Sequence, residues 1–276
     1  MIHAARGLGW PAVALLVLVA FCAIWPELSP YGANHVDFDL SRESPSLAHP
    51  LGTDQFGRDL LTRLAAAGRV SLAITAGALA IILVVGFAYG AVSGLAGGKV
   101  DAFMMRVLDG LLALPRLPVS IVILVVLAMH AQTIWAVVLA LSVVSWMLTA
   151  RLVRGRVLVL READFVRASR AVGARRRRVL LRHIFPNTLG ILVVAVLLEL
   201  PGVILGEAFL SVLGLGPNPP TATWGNMAVE GIRFHRIWNV ALPCAAIALF
   251  AVLANVLADR LQAAIDPRQA ETARDG

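Results

Sequence analysis

From Val70 to Gly98 the chain runs twenty-nine residues without an Asp, Glu, Lys or Arg. Such a stretch is ample for a tilted helix crossing the ~30 Å hydrocarbon core of a bilayer. Its small residues, among them Ala73, Ala76, Gly77, Ala80, Gly90, Ser93 and Gly94, suit close helix packing in lipid. Composition agrees with a membrane setting. The chain is 59% hydrophobic and only 15% charged, with a mean hydropathy of +0.80, whereas soluble domains carry about a quarter charged residues. The net charge of +7 says little about partners here, because cytoplasmic loops of membrane proteins carry excess Arg and Lys in any case.

Further apolar tracts repeat the pattern. Leu8 to Trp25 follows Arg6 without a charge and is read as an uncleaved first span: Ile24-Trp25-Pro26 is too bulky for a signal-peptidase site. Pro115 and Pro118 kink the start of a third span that ends near His130-Ala131-Gln132. A fourth span runs from Thr133 to Ala150, a fifth from Pro186 to about Leu213, and a sixth from Ile237 to Ala258. Between them lie polar, turn-rich segments at 27–69 and 214–236, a short amphipathic helix expected at Leu60 to Ser71, and an interfacial helix expected at Asp101 to Arg116. The expected fold class is an all-α polytopic protein of six transmembrane helices. It divides into an N-terminal region with the first span (1–26), an external segment (27–69) and a five-span core (70–276). With both termini cytoplasmic, eighteen Lys and Arg fall inside and six outside, which sets the expected N-in, C-in orientation.

The segment from Arg151 to Asn187 holds eleven of the twenty-four Lys and Arg and only two acids, Glu162 and Asp164. Its pattern predicts a helix from Arg161 to Val172 with Phe165, Ala168 and Val172 on one face. Gly173 stops that helix, and a second runs from Arg175 to Ile184 until Pro186 ends it. The result is a helix-turn-helix at the cytoplasmic surface, between spans four and five. A small-residue helix face suits insertion into a protein groove, while the arginines suit anionic lipid. Nucleic acid is excluded: the segment is hemmed by two spans and lacks stacking aromatics.

Other chemistries find little support. Cys22 and Cys244 lie in apolar tracts and read as buried hydrophobes, and the histidines lack a metal-site spacing. An intramembrane hydrolase would draw on Ser145, His130 or Ser211, without any nucleophile or zinc motif around them. His49-Pro50-Leu51-Gly52-Thr53-Asp54 with Gly57-Arg58-Asp59 reads as a folded outer loop in which Thr53 or Asp54 caps a helix starting near Gln55. An ion-coupled secondary transporter would need mirrored helix breaks, and Pro201-Gly202 has no counterpart.

The basic segment resembles the loop of ABC-importer permease subunits whose consensus reads E-A-A, three residues, G, nine residues, I-x-L-P. Arg167-Ala168-Ser169 stands at E-A-A, Gly173 at the glycine, and His183-Ile184-Phe185-Pro186 at the end. Arg167, Ser169 and His183 depart from the consensus. The outer loop resembles the H-P-x-G-T-D-x-x-G-R-D signature of the dipeptide, oligopeptide and nickel branch. Leu210-Ser211-Val212-Leu213-Gly214-Leu215-Gly216, Pro219-Pro220 and Trp224-Gly225-Asn226-Met227 resemble its second external loop, and Asp266-Pro267-Arg268 its tail. The likeness is closest to the C-type permease of the pair.

The resemblance implies a pore subunit of an ATP-driven importer, not an enzyme. Its partners would be a homologous permease subunit, two cytoplasmic ATPases that hold ATP and Mg, and an external binding protein. The chain has no G-x-x-x-x-G-K-[ST] of its own. ATPase coupling falls to Asp164, Phe165, Arg167, Ala168, Ser169, Val172, Gly173, Ala174 and Pro186, and contact with the binding protein to Asp54, Arg58 and Trp224. Peptides are the expected solute, with nickel or another small solute as the alternative. Within the fifth span, Glu199 and Glu207 are costly at membrane depth. Either they line the path and meet a cationic group, or Glu207 sits at the outer interface, bonded to the Gly214–Trp224 loop.

Overall fold

The computed structural model describes residues 2–128 and 134–265. Within these, regular structure is helical, apart from an isolated antiparallel bridge between Thr53 and Asp59. The helices are α1 (Ile2–Leu28), α2 (Leu60–Ala96), α3 (Gly98–Leu112), α4 (Arg116–Ala128), α5 (Ile134–Arg161), α6 (Asp164–Ala171), α7 (Arg176–Val179), α8 (Phe185–Val212), α9 (Trp224–Arg233) and α10 (Ile237–Ile265), with a π turn at Leu180–Ile184 leading into α8. Five of the helices are long and apolar enough to cross a bilayer, and α3 with α4 forms a further candidate bent by 86°.

The α2–α5 seam organises the bundle. A Cβ added at Gly77 would meet Val138, at Gly86 Thr149, at Gly90 the Ala150 carbonyl, and at Gly94 Val157. The partners rise together along both helices, so α2 and α5 run parallel. Three of these glycines recur every fourth residue, the spacing that lets two helix backbones touch in lipid. Parallel packing also means that the chain must return along the bundle between Ala96 and Ile134, and the bent α3–α4 pair makes that return.

Three apolar clusters stack along the bundle axis. Cys22, Ile204, Trp224 and Phe250 fill one end. Ile74, Ala78 and Ile82 meet Val137, Leu141 and Val203 in the middle. Ala91, Val153, Val157, Val166 and Ile184 fill the other end, beside the arginine-rich elbow. At that basic end Arg260 of α10 lies over the Trp10 ring of α1, 5.0 Å from its centroid, so the start of α1 and the end of α10 lie together.

Several boundaries differ from expectation. Leu60 to Ser71 is not a separate helix: it is continuous with α2, and residue 69 falls inside that helix. Beside Gly68 the Trp224 ring and Cys22 occupy the space that a Cβ would fill. Span four does not stop at Ala150. It continues as α5 to Arg161 because Val153, Val157 and Leu160 keep one face buried. Arg161 to Val172 is therefore not one helix: Ala163 is extended (φ −65°, ψ 142°) and α6 starts at Asp164. Pro186 ends nothing. It lies in the first turn of α8, where a missing N–H costs least, and the π turn carries the chain over it, with the Phe185 N–H bonded to the Leu180 carbonyl. The helix expected over Asp101 to Arg116 is α3, which ends at Leu112 and packs Leu108 with Val144, Met147 and Ala150 of α5. The expected turn at His130-Ala131-Gln132 and the motif Asp266-Pro267-Arg268 lie outside the described residues.

Candidate functional site

Three places carry the polar chemistry of the bundle: an elbow at the basic end, an ion pair midway along it, and a cap at the opposite end.

The elbow is α6 and its exit. Val166 is fully buried, with Val157, Leu160, Val179 and Ile184 in its cluster, so one residue pins an eight-residue helix to the bundle. Phe165, Ala168 and Val172 are exposed, and Val172 is 88% accessible. Asp164 sits in the first turn, where a carboxylate favours the positive end of the helix dipole. The helix ends with the Gly173 N–H on the Arg170 carbonyl at 2.9 Å and the Ala174 N–H on the Ser169 carbonyl at 3.1 Å. That pair of bonds is the Schellman pattern, which needs a left-handed residue after the cap, and Gly173 supplies it with φ +85°. Arg167 is exposed, Ser169 and Ala174 are half-buried, and Pro186 is exposed at the start of α8. The elbow thus presents a short helix with an apolar outer face on a fixed pivot.

Behind the elbow, Arg154 of α5 donates to Asp101 of α3 through Nε at 2.5 Å and Nη2 at 2.6 Å. Ser93 of α2 donates to the same carboxylate. The Arg161 Nη1 donates to the Gly94 carbonyl at 3.2 Å. The extension of α5 is therefore tied to α2 and α3.

Midway along the bundle, Glu199 of α8 is 3% exposed. Its Oε2 accepts from Nη2 of Arg116 at 2.8 Å, and the same nitrogen lies 2.8 Å from Ser145 Oγ. From the sequence alone Arg116 falls at the cytoplasmic edge and Glu199 has no protein partner. The helix break before α4 instead brings the two together across eighty-three positions. Pro115 signalled the break, but no sequence period signals the pairing. Ser145, considered above as a nucleophile, accepts a hydrogen bond from a cation here.

Glu207 is fully buried. Ser71 of α2 donates to Oε2 at 3.0 Å and Ser211 to Oε1 at 2.9 Å. Ser71 Oγ in turn accepts from the Trp224 N–H at 3.1 Å. Glu207 therefore joins α2, α8 and the start of α9.

The cap folds the first loop onto α2 and α9. Asp59, not Thr53 or Asp54, caps the first long helix of this region: it accepts from Thr62 N at 2.8 Å and from Thr62 Oγ1 at 2.7 Å, and its other oxygen lies 3.0 Å from His49 Nδ1. Asp54 accepts from the Phe56 and Arg58 backbones and from Arg58 Nε. Gly57 adopts φ +71° and abuts the Asp37 carbonyl, where any Cβ would fall 1.6 Å from the oxygen; only glycine fits there. Glu230 of α9 receives Arg58 at 2.7 Å and Arg63 at 3.0 Å. A polar cavity of about 570 Å³ opens beside this cluster, lined by Arg58, Arg63, Glu230, Arg233, Asn226 and the Pro217–Thr221 loop. Asp54, Arg58 and Trp224, expected to meet a partner, are instead buried at 2%, 9% and 1% exposure. They shape the cap from inside, and Glu230, which the sequence reading passed over, is its central counter-charge.

Residues 82–271 match the family described as binding-protein-dependent transport system inner membrane component. The chain is 36% identical over 265 residues to the oligopeptide transport system permease protein OppC of Haemophilus influenzae, covering 93% of this chain and 84% of that protein. It is 38% identical over 257 residues to the dipeptide transport system permease protein DppC of Bacillus subtilis, covering 92% and 79%. It is 35% identical over 260 residues to OppC of Escherichia coli, covering 93% and 85%.

Proposed function

The chain belongs to the binding-protein-dependent transport system inner membrane components, and from that membership we propose that it is the permease subunit of an ATP-driven peptide importer whose elbow receives the motion of the ATPases. It is a multi-pass protein of the bacterial inner membrane. Peptides are the solute favoured by its relatives, which are permeases of oligopeptide and dipeptide transport systems, and nickel loses support on the same ground. A second, homologous permease subunit completes the path. Two cytoplasmic ATPases bind ATP and Mg, and an external binding protein delivers the solute to the cap. The basic end faces the cytoplasm in this reading, with α6 as the coupling helix.

The observation that carries the proposal is the construction of α6. A buried Val166 and an exposed Phe165, Ala168 and Val172 describe a helix fixed to the bundle on one side and unfilled on the other. Force applied to its outer face passes through Val166 into α5 and α8. The Asp101 clamp then hands it to α3, the first half of the bent pair.

The test reconstitutes this chain with its partner permease, ATPases and binding protein. Ala168→Arg and Gly173→Pro should each abolish ATP-dependent peptide uptake and weaken ATPase association, while circular dichroism shows the spans intact. Uptake and association that survive both substitutions would overturn the coupling role.

A further inference from the structure

A carboxylate deep in a transport protein invites the reading that it attracts cations. The geometry around Glu199 points the other way. Its carboxylate is closed off, with its side chain 3% exposed, while its partner Arg116 has a side chain 50% exposed. Only Nη2 of Arg116 is engaged, by Ser145 and Glu199. Among the described residues, Nη1 and Nε have no partner, so N–H donors remain on the open side of the guanidinium.

Three features make this an arranged site. First, Arg116 opens α4, and a cation at a helix N-terminus works against the helix dipole. Its placement is favoured by Glu199, not by its own helix. Second, Ser145 is the twelfth residue of α5 and Glu199 the fifteenth of α8, each helix having 28 residues, so the pair lies well inside the bundle. A half-exposed guanidinium at that depth is costly against lipid and belongs beside water or protein. Third, its neighbours along the chain, Leu112, Leu114 and Leu117, are half-exposed leucines, so the guanidinium stands in an otherwise apolar stretch.

We propose that Arg116 is a specificity-determining residue of the translocation path, which receives the terminal carboxylate of a passing peptide, with Glu199 and Ser145 holding the guanidinium in position. The inference rests on the peptide-importer reading above. A fixed guanidinium fork matches a carboxylate in two parallel hydrogen bonds, and the neighbouring Glu199 keeps the site neutral overall. A passing carboxylate is then recognised without being trapped by an uncompensated charge.

The test uses the complete complex in proteoliposomes, with radiolabelled trialanine and its C-terminal amide at matched occupancy of the binding protein. The wild type should take up the free acid at least about fivefold faster than the amide, a difference of one charge-assisted contact. Arg116→Gln combined with Glu199→Gln keeps the site neutral and nearly isosteric; it should bring the acid-to-amide uptake ratio down to about one. Equal wild-type rates for the two peptides overturn the proposal. So does a double variant that keeps the wild-type ratio, which would assign the pair to bundle structure or to contact with the second permease. If the double variant fails to assemble, Arg116→Lys decides. A ratio reduced two- to threefold, from loss of the fork, supports the carboxylate contact, and an unchanged ratio overturns it. Uptake of neither peptide by the wild type sinks the peptide-importer reading itself, a result distinct from uptake without discrimination.

Discussion

Arg154 grips Asp101 with both arms of its guanidinium, Nε on one carboxylate oxygen at 2.5 Å and Nη2 on the other at 2.6 Å. The contact joins the helix that leads into the elbow to the first turn of the bent pair. Ser93 of α2 supplies a third donor to the same carboxylate. Three helices thus share one anion at the basic end, next to the Gly94–Val157 approach. Among the described residues the elbow makes no such tie to α3 of its own, so the proposed coupling would reach the bent pair through α5 and this clamp.

Removing Arg154 leaves Asp101, 8% exposed, as a poorly hydrated charge with one hydroxyl for company. Arg154→Ala should lower stability by about 1–3 kcal/mol, the cost of taking the main donor from a poorly exposed carboxylate, seen as a reduced thermal midpoint of the purified complex. Arg154→Lys should recover less than half of that, because a point charge cannot make the parallel bonds of the fork. Full recovery by Lys would reduce the clamp to simple charge balance.

Much of this architecture was legible in the sequence, for reasons that differ along the chain. Uncharged length marks a crossing helix because lipid tolerates few charges, so the spans from α1, α2, α5, α8 and α10 could be read directly. Gly173 was legible because one backbone conformation demands it. Charge pairing was not. Arg116 and Glu199 are far apart in sequence, and the Arg58–Glu230 contact spans 172 positions. No local period connects such residues, so the arginines counted only as loop charges. Helix ends were misread where a tertiary contact overrode a local signal. α5 runs past Ala150 because Val153, Val157 and Leu160 stay buried. Pro186 fails to stop a helix because a π turn precedes it. The polar residues of the cap were read as a surface because burial of Asp54 and Arg58 depends on α9, which lies far along the chain.

Glu207 separates a structural carboxylate from a path-lining one. Ser71 and Ser211 both donate to it, and both hydroxyls can rotate to accept instead. Glu207→Gln should therefore leave peptide uptake within about twofold of wild type. Glu207→Ala takes the shared acceptor from two buried hydroxyls, leaving Ser71 with the Trp224 N–H and Ser211 with Thr223, and opens a void, at a cost of roughly 2–4 kcal/mol; it should lower the thermal midpoint together with the yield of assembled complex. A stable but transport-dead Glu207→Gln protein would return Glu207 to the path.

The α2–α5 seam makes a sharper demand on residue size. A methyl at Gly90 would fall 2.4 Å from the Ala150 carbonyl oxygen, which is backbone and cannot swing aside, whereas one at Gly110 meets nothing within 4 Å. Gly90→Ala should destabilise the bundle by about 1–3 kcal/mol, as overpacking does. Gly110→Ala should be neutral or stabilising by up to about 1 kcal/mol through helix propensity. Thermal unfolding of the two variants in the same detergent checks the contrast, and equal midpoints would mean that the seam yields more than its geometry allows.

At the cap, Glu230 neutralises two arginines, Arg58 and Arg63, that are 9% and 4% exposed. Arg58 keeps Asp54 as a second partner, with Nε on its carboxylate at 2.5 Å. Arg63 keeps only the neutral oxygens of Asn34 and Ala33. Glu230→Ala should therefore cost about 3 kcal/mol, mostly through Arg63 left charged and unpaired. Adding Arg63→Met to Glu230→Ala removes that charge and fills part of its volume, so it should recover most of the loss. Both effects are read as shifts in thermal midpoint. A double variant no more stable than Glu230→Ala alone would place the cost at Arg58, on the loop, instead of at the head of α2.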